Sequence, residues 1–287
     1  MPPVFDFSPA AIAELARADA ARALQEDVGG GDLTAGLVDP ARRARALVIA
    51  REEAVVCGGP WFVATVHQLD PQATITWAVP EGRRTRIGQP VVEIRGQARA
   101  LLTAERTALN FLQLLSGVAT KTATYVEAVR GTKAHIVDTR KTLPGLRLAQ
   151  KYAVRTGGGT NHRIGLYDAV LVKENHIAAA GGISAVLKAA QDAAANAAFI
   201  EVEVETLVQL EEALRAGARM VLLDNMDLPT LREAVRINAG RAILEISGGV
   251  TLDGLRALAE TGVDRISIGT LTKDVKATDY SMRFQDL

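Results

Sequence analysis

Six short stretches of this chain end in residues able to act on a charged substrate: Asp138-Thr139-Arg140-Lys141, Lys173-Glu174-Asn175-His176, Glu201-Val202-Glu203-Val204-Glu205, Asp224-Asn225, Ser247-Gly248-Gly249 and Gly269-Thr270. In an extended segment side chains alternate, so Glu201, Glu203 and Glu205 share one face and Val202 and Val204 the other. Three like charges on an inward face are costly unless cations neutralise them. Lys141, Lys173 or Mg²⁺ would serve, and Mg²⁺ favours carboxylates together with water and phosphate oxygens. The competing reading is an edge strand with solvated glutamates. Ser247-Gly248-Gly249 and Gly269-Thr270 suit a phosphate, because glycine lets backbone N–H groups approach an anion ahead of a helix N-terminus. A glycine at such a turn also serves the turn alone, but two such turns on the last two strands reinforce each other.

The segment TLPGLRLAQKYAVRTGGGTNHRIGLYD joins the first two stretches. Arg147, Lys151 and Arg155 read as the solvated basic face of a helix. His162-Arg163, just after a glycine triplet, reads with Arg140 and Lys141 as a pocket for a small polyanion. The planar fork of arginine suits carboxylates in particular. His67 and His135 read as structural, and His176 is left between a site role and a loop-orienting one. Arg42, Arg43, Arg45, Arg83, Arg84 and Arg86 read as solvated faces, and Cys57 as a small buried residue. The chain has no CxxC, HExxH, GxxxxGK[ST] or GxSxG pattern, so nothing points to those chemistries.

The elements that must hold these residues are legible as a repeat. From residue 135, HIVDT, DAVLVKE, FIEVEVE, MVLLDN, ILEISGG and RISIGTLT read as strands, with Ala-, Leu- and Glu-rich helical segments between most of them. Strand–helix alternation implies a parallel sheet covered by helices. Six units fit and eight do not, so the expected architecture is an incomplete six-stranded barrel, with chemistry at the strand ends. The runner-up is an open doubly wound sheet.

Before the repeat, Ser8-Pro9 caps a helix to about Gln25, three glycines make a loop, and Asp32 caps the segment after them. RALVIA, EAVVCG, ATITWAV and PVVEIRG predict a β-rich region over 45–98. Thr103 is the expected cap of a helix through ERTALNFLQLL, and a second helix follows Gly117 to about Val129. The tail KATDYSMRFQDL is expected to lack a strand and to pack back on the first domain.

Composition narrows the function classes. Lys and Arg number 33 against 33 Asp and Glu, which excludes an electrostatic case for nucleic acid or an anionic membrane. Aromatics are 4% and scattered, so stacking platforms for single strands are not expected. A single cysteine forbids an intrachain disulfide and suggests a cytoplasmic setting. The sequence lacks a membrane-length apolar run and a secretory-type N-terminus.

EDVGGGDLTA, ERTALNFLQLLSGVAT, DTRKTLPGLR, KYAVRTGGGTNHRIGLYDAVLVKENHI, EVEVE, LLDN, EISGG and ISIGTLT together resemble the quinolinate phosphoribosyltransferase family across essentially the whole chain. The block around Asn161-His162-Arg163 is its most specific part. The resemblance implies an N-terminal α/β open-faced sandwich over 1–117, the barrel over 118–274 and a tail over 275–287. It implies formation of nicotinate mononucleotide, pyrophosphate and CO₂ from quinolinate and phosphoribosyl pyrophosphate, with Mg²⁺. It assigns Arg140, His162 and Arg163 to quinolinate, and Lys141 and Lys173 to both substrates. Glu203 and Asp224 fall to the ribose and metal, Thr139 to the substrate site, and Ser247, Gly248, Gly249, Gly269 and Thr270 to phosphate. Arg106 would complete the pocket of the partner subunit in a homodimer or a higher oligomer. Lys273 stands where many members have His, and Thr270 where Ala is more usual. Three rivals remain: a related phosphoribosyltransferase acting on another anionic ring, a Schiff-base aldolase using Lys173, and a non-catalytic anion-binding protein, which would need no Glu203/Asp224 metal pair.

Overall fold

The computed structural model describes residues 5–194 and 196–286. Residues 1–4, part of the N-terminus read above for a signal, and the last residue of the tail lie outside them. The chain runs through α1 (Pro9–Val28), β1 (Arg43–Ala50), α2 (Gly59–Leu69), β2 (Thr74–Trp77), β3 (Pro90–Gln97) and α3 (Ala98–Ala128). It continues through β4 (His135–Val137), α4 (Arg147–Thr156), β5 (Val170–Val172), α5 (Glu174–Ala180), α6 (Ile183–Ala193), β6 (Ile200–Val204) and α7 (Leu207–Arg215). It ends with β7 (Met220–Asp224), α8 (Leu228–Asn238), β8 (Ile243–Ser247), α9 (Leu252–Ala259), β9 (Arg265–Ser267), α10 (Thr270–Lys273) and β10 (Tyr280–Asp286). Among the described residues no helix is long and apolar enough to cross a membrane.

Two compact units interleave along the chain. One comprises Asp6–Ala123, Leu143–Gly158 and the segment from Leu271 onward. Its sheet has the order β10-β1-β3-β2, antiparallel throughout. Alternate residues of β1, Ala44, Ala46, Val48 and Ala50, enter the core with Phe62 of α2 and Leu109 and Leu112 of α3. Ser8 caps α1 as expected, its Oγ accepting from the Ala11 N–H, and Asp32 Oδ1 accepts from the Thr34 and Ala35 N–H groups.

Three expectations for this unit fail. The β-rich region contains the helix α2, whose start at Gly58-Gly59-Pro60 interrupts what reads as strand; EAVVCG contributes only an isolated bridge, Val55 to Arg84. The two helices expected around Gly117 are one helix of 31 residues, and Thr103 lies inside it. Gly117 is there for close approach rather than a break: a Cβ on it would stand 2.2 Å from the Lys276 carbonyl oxygen. The tail does contain a strand, β10, which pairs with β1 from Ala44↔Asp286 to Ala50↔Tyr280.

The other unit comprises Thr124–Thr142 and Gly159–Thr270. Its six strands are ordered β4-β9-β8-β7-β6-β5 and every pairing is parallel. The first and second strands thus lie at opposite ends of the order, as in a six-stranded barrel open between them. A doubly wound sheet would instead place its first strand inside the order. At the seam a parallel bridge joins Val137 to Thr160. β7 is buried from Met220 to Leu223, the near-continuous apolar pattern of a strand covered on both faces.

Candidate active site

The strand ends of the barrel are polar, and buried carboxylates hold the loops that leave them. Asp138, fully buried at the end of β4, accepts from Asn161 Nδ2 at 2.7 Å and from the His162 N–H at 2.8 Å. Asp168 accepts from the Ile164 and Gly165 N–H groups at 2.7 and 2.9 Å. These two aspartates fasten the chain on either side of Arg163.

A cavity of about 320 Å³ then brings together Thr139, Arg140 and Lys141 after β4, His162 and Arg163 from the loop, Lys173, Glu203 and Ser247. Lys141 and Gly269 touch: a Cβ on Gly269 would stand 2.8 Å from Lys141 Cδ and 3.5 Å from Thr139 Oγ1. Burial, and then the neighbouring Arg140, hold the Arg163 guanidinium below the usual arginine range. Arg140 Nε is buried without a hydrogen-bond partner, and among the described residues the Arg163 guanidinium hydrogen-bonds only the Ala169 carbonyl, at 3.4 Å. Two guanidinium groups in one cavity, poorly matched by local acceptors, are suited to an anion with two acidic groups.

On the acidic side, Lys173 Nζ stands 3.3 Å from Glu203 Oε2. Burial raises the Glu203 carboxyl above its ordinary range, Lys173 opposes this, and Asp224 and Glu174 add to it. Asp224 ends β7 and accepts from Asn225 Nδ2 at 2.9 Å. Asn225 has φ 53°, and its Oδ1 occupies the space beside Gly248: a Cβ there would fall 2.0 Å from it. Asp224, Gly248, Gly249, Gly269 and Thr270 lie at strand ends of this unit without lining the cavity. Arg106 is exposed on α3, in the other unit.

Several readings change. Glu205 lies beyond β6 and is exposed, so it does not join the inward acidic face. Glu201 is fully buried, and its neighbours are His162, Arg163 and Arg265 rather than the expected lysines. Lys151 is fully buried rather than solvated. His176 orients its loop, its Nδ1 accepting from the Lys173 N–H at 3.0 Å. Asp138, Glu245 and Arg265 went unassigned; the one hint was Glu245, on the inward alternation of ILEIS with Ser247.

Two places could be asked to hold a metal. Glu203 and Asp224 are partly buried and offer only carboxylate oxygens, a donor set that fits a hard divalent cation retaining water or phosphate oxygens. His162, Glu201 and Glu245 also lie within 4.8 Å of one another. That cluster is buried and already holds a cation, with Arg265 Nε 2.8 Å from Glu245 Oε2, so it fits a metal poorly.

The fold and cavity define a parallel β/α-barrel protein whose strand ends carry a cavity lined by two arginines and two lysines. Residues 118–283 match the family described as quinolinate phosphoribosyl transferase, C-terminal domain, and residues 32–116 match its N-terminal domain. The chain belongs to this family. It is 42% identical over 257 residues to the probable nicotinate-nucleotide pyrophosphorylase [carboxylating] of Bacillus subtilis, covering 90% of this chain and 89% of that one. It is 42% identical over 276 residues to the nicotinate-nucleotide pyrophosphorylase [carboxylating] of Mycobacterium leprae, covering 94% and 97%. Among solved structures, the nicotinate-nucleotide pyrophosphorylase of Francisella tularensis superposes with a TM-score of 0.93 at 41% identity, covering 99% of this chain and all of that one.

Proposed function

We propose that this chain transfers the phosphoribosyl group of phosphoribosyl pyrophosphate to the ring nitrogen of quinolinate and releases CO₂. The products are nicotinate mononucleotide and pyrophosphate, so the enzyme is a pentosyltransferase of NAD biosynthesis. The observation that carries the reading is Arg140 and Arg163 in one small cavity with the Lys173–Glu203 pair, in a chain of this family.

The roles follow from charge. Arg140 and Arg163 take the two carboxylates of quinolinate, and Lys141 and Lys173 stabilise negative charge as pyrophosphate leaves the ribose carbon. Glu203 and Asp224 engage the ribose hydroxyls and would hold Mg²⁺. When bound, that ion would neutralise charge on the pyrophosphate oxygens. Ser247, Gly248, Gly249, Gly269 and Thr270 receive the 5′-phosphate and Thr139 borders the substrate. As the adjacent carboxylate departs, its bonding electrons stay on the ring carbon beside the cationic nitrogen, and a proton then replaces CO₂. No side-chain nucleophile is required. Lys173 Nζ is engaged at ion-pair distance by Glu203 rather than standing free to attack a carbonyl, as a Schiff-base lysine must. The working unit is a homodimer in which Arg106 of one subunit completes the other's pocket, in a cytoplasmic setting.

The test is nicotinate mononucleotide formation from phosphoribosyl pyrophosphate with quinolinate or with nicotinate. A pocket built for two carboxylates leaves a buried cation unmatched when one is missing, so quinolinate should be preferred by ~1000-fold or more in kcat/KM. Comparable values for the two acids would refute the pocket assignment.

A further inference from the structure

The cavity wall that includes His162 and Glu245 belongs to a buried charge array that the transfer itself does not call for. Glu201 on β6 and Glu245 on β8 are both fully buried. His162 Nε2 stands 2.8 Å from Glu201 Oε2 and 3.6 Å from Glu245 Oε1. Arg265 on β9, paired in register with Glu245, donates from Nε to its Oε2 at 2.8 Å. Among the described residues, the Oε1 atoms of both glutamates and Nη2 of Arg265 are buried without hydrogen-bond partners. A buried array left partly unmatched is poor design for stability alone, because apolar side chains of similar volume would serve as well or better.

The histidine shows where the array leads. Its Nδ1 accepts the Arg163 backbone N–H at 2.8 Å, so in this arrangement Nδ1 carries no proton. The ring proton sits on Nε2 and is donated to Glu201. Phe199 stands edge-on to the ring, with centroids 5.2 Å apart at 83°. Both ring nitrogens are thus committed to the protein beside the residue whose guanidinium enters the cavity. When ionised, Glu201 also attracts the Arg163 guanidinium, which Arg140 repels.

We propose that Glu201 and Glu245, clamped by Arg265, are positioning residues for the dicarboxylate. They hold His162 as its Nε2–H tautomer, His162 holds the Arg163 amide, and together they fix where the Arg163 guanidinium stands. The inference deepens the proposed function and rests on it.

The test uses Glu201→Gln and Glu245→Gln in the full chain. Gln keeps the shape and removes the charge. Quinolinate KM should rise by about 10-fold or more, as is common when a group that orients a ligand-binding residue is lost. The KM for phosphoribosyl pyrophosphate should change several-fold less than that for quinolinate, because the array's hydrogen bonds lead through His162 to Arg163. A merely structural role would lower the folded fraction without separating the two substrates. In ¹⁵N-histidine spectra of the wild-type protein at pH 7, the signal lost in His162→Gln should show a protonated Nε2 and a bare Nδ1. That measurement decides even where the Glu201 and Glu245 variants fail to fold. An unchanged quinolinate KM in folded variants, or a proton on Nδ1, overturns the inference. An inactive wild type instead defeats the proposed function, so the two failures are distinguishable.

Discussion

Glu203 faces Lys173 across an ion pair and shares its strand ends with Asp224, whose charge raises the Glu203 carboxyl further. Two acids so arranged repel unless a cation joins them. Chelation of divalent cations should therefore abolish turnover, and Glu203→Gln should lower kcat/KM by ~100- to 1000-fold. Full activity in excess EDTA would exclude the metal. Glu201 and Glu245 behave differently. Burial and then other groups push each carboxyl to about 7, Glu201 repelling Glu245 and Arg265 opposing the rise in both. The folded state therefore binds protons that the unfolded chain has already released. Stability from this pair is fully present below the ordinary carboxylate range and is lost as pH rises through about 7. Thermal midpoints should fall between pH 5 and pH 8, and Glu201→Gln should flatten that fall; an equal slope in both proteins would contradict the assignment. That Arg140, Lys141, Lys173 and Glu203 would share one cavity was legible in the sequence because each stands at or near a strand end. Glu245 and Arg265 were not, since a charged residue within a short strand shows its alternation but not its partner. Lys151 was misread for a related reason: i,i+4 spacing with Arg147 and Arg155 defines a helix face, not what covers it.

At the scale of elements, the six strands were readable because each couples a short apolar run to a polar end. What misled were glycines and apolar runs whose meaning depends on a distant neighbour. Gly117 signals an approaching backbone and not a helix end, and GPWFVATVHQL is a largely buried helix inside the region 45–98 that reads as β-rich. Gly248 shows the same dependence within the site. It has φ 103°, and its missing Cβ leaves room for Asn225 Oδ1 beside Asp224. Alanine there would be strained in backbone and would displace the Asn225 amide. Gly248→Ala should cost about 1–3 kcal/mol of stability. It should also raise the KM for phosphoribosyl pyrophosphate more than that for quinolinate. An equal effect on both would detach this turn from phosphate binding.

Over the whole molecule, chain ends and middles combine: β10 completes a sheet begun more than 200 residues earlier by β1, a pairing that tail composition alone cannot signal. The proposed shared site extends the same logic across subunits. Arg106 is exposed on α3 beside Glu105, whose carboxyl burial raises. The bland alternative is an arginine that solvates there or pairs weakly with that glutamate, worth under about 1 kcal/mol. Mixing separates the two. Arg106→Ala and Lys141→Ala should each be nearly inactive alone. If each pocket takes Lys141 from one subunit and Arg106 from the other, a heterodimer holds one pocket with both lesions and one with neither. That heterodimer should work at about half the rate of the intact dimer, and a statistical mixture should recover about a quarter of wild-type activity. Recovery requires subunit exchange, which native mass spectrometry of size-tagged subunits would establish first. If exchange is complete and activity stays at the level of the separate variants, Arg106 acts within its own chain and each subunit carries a self-sufficient site.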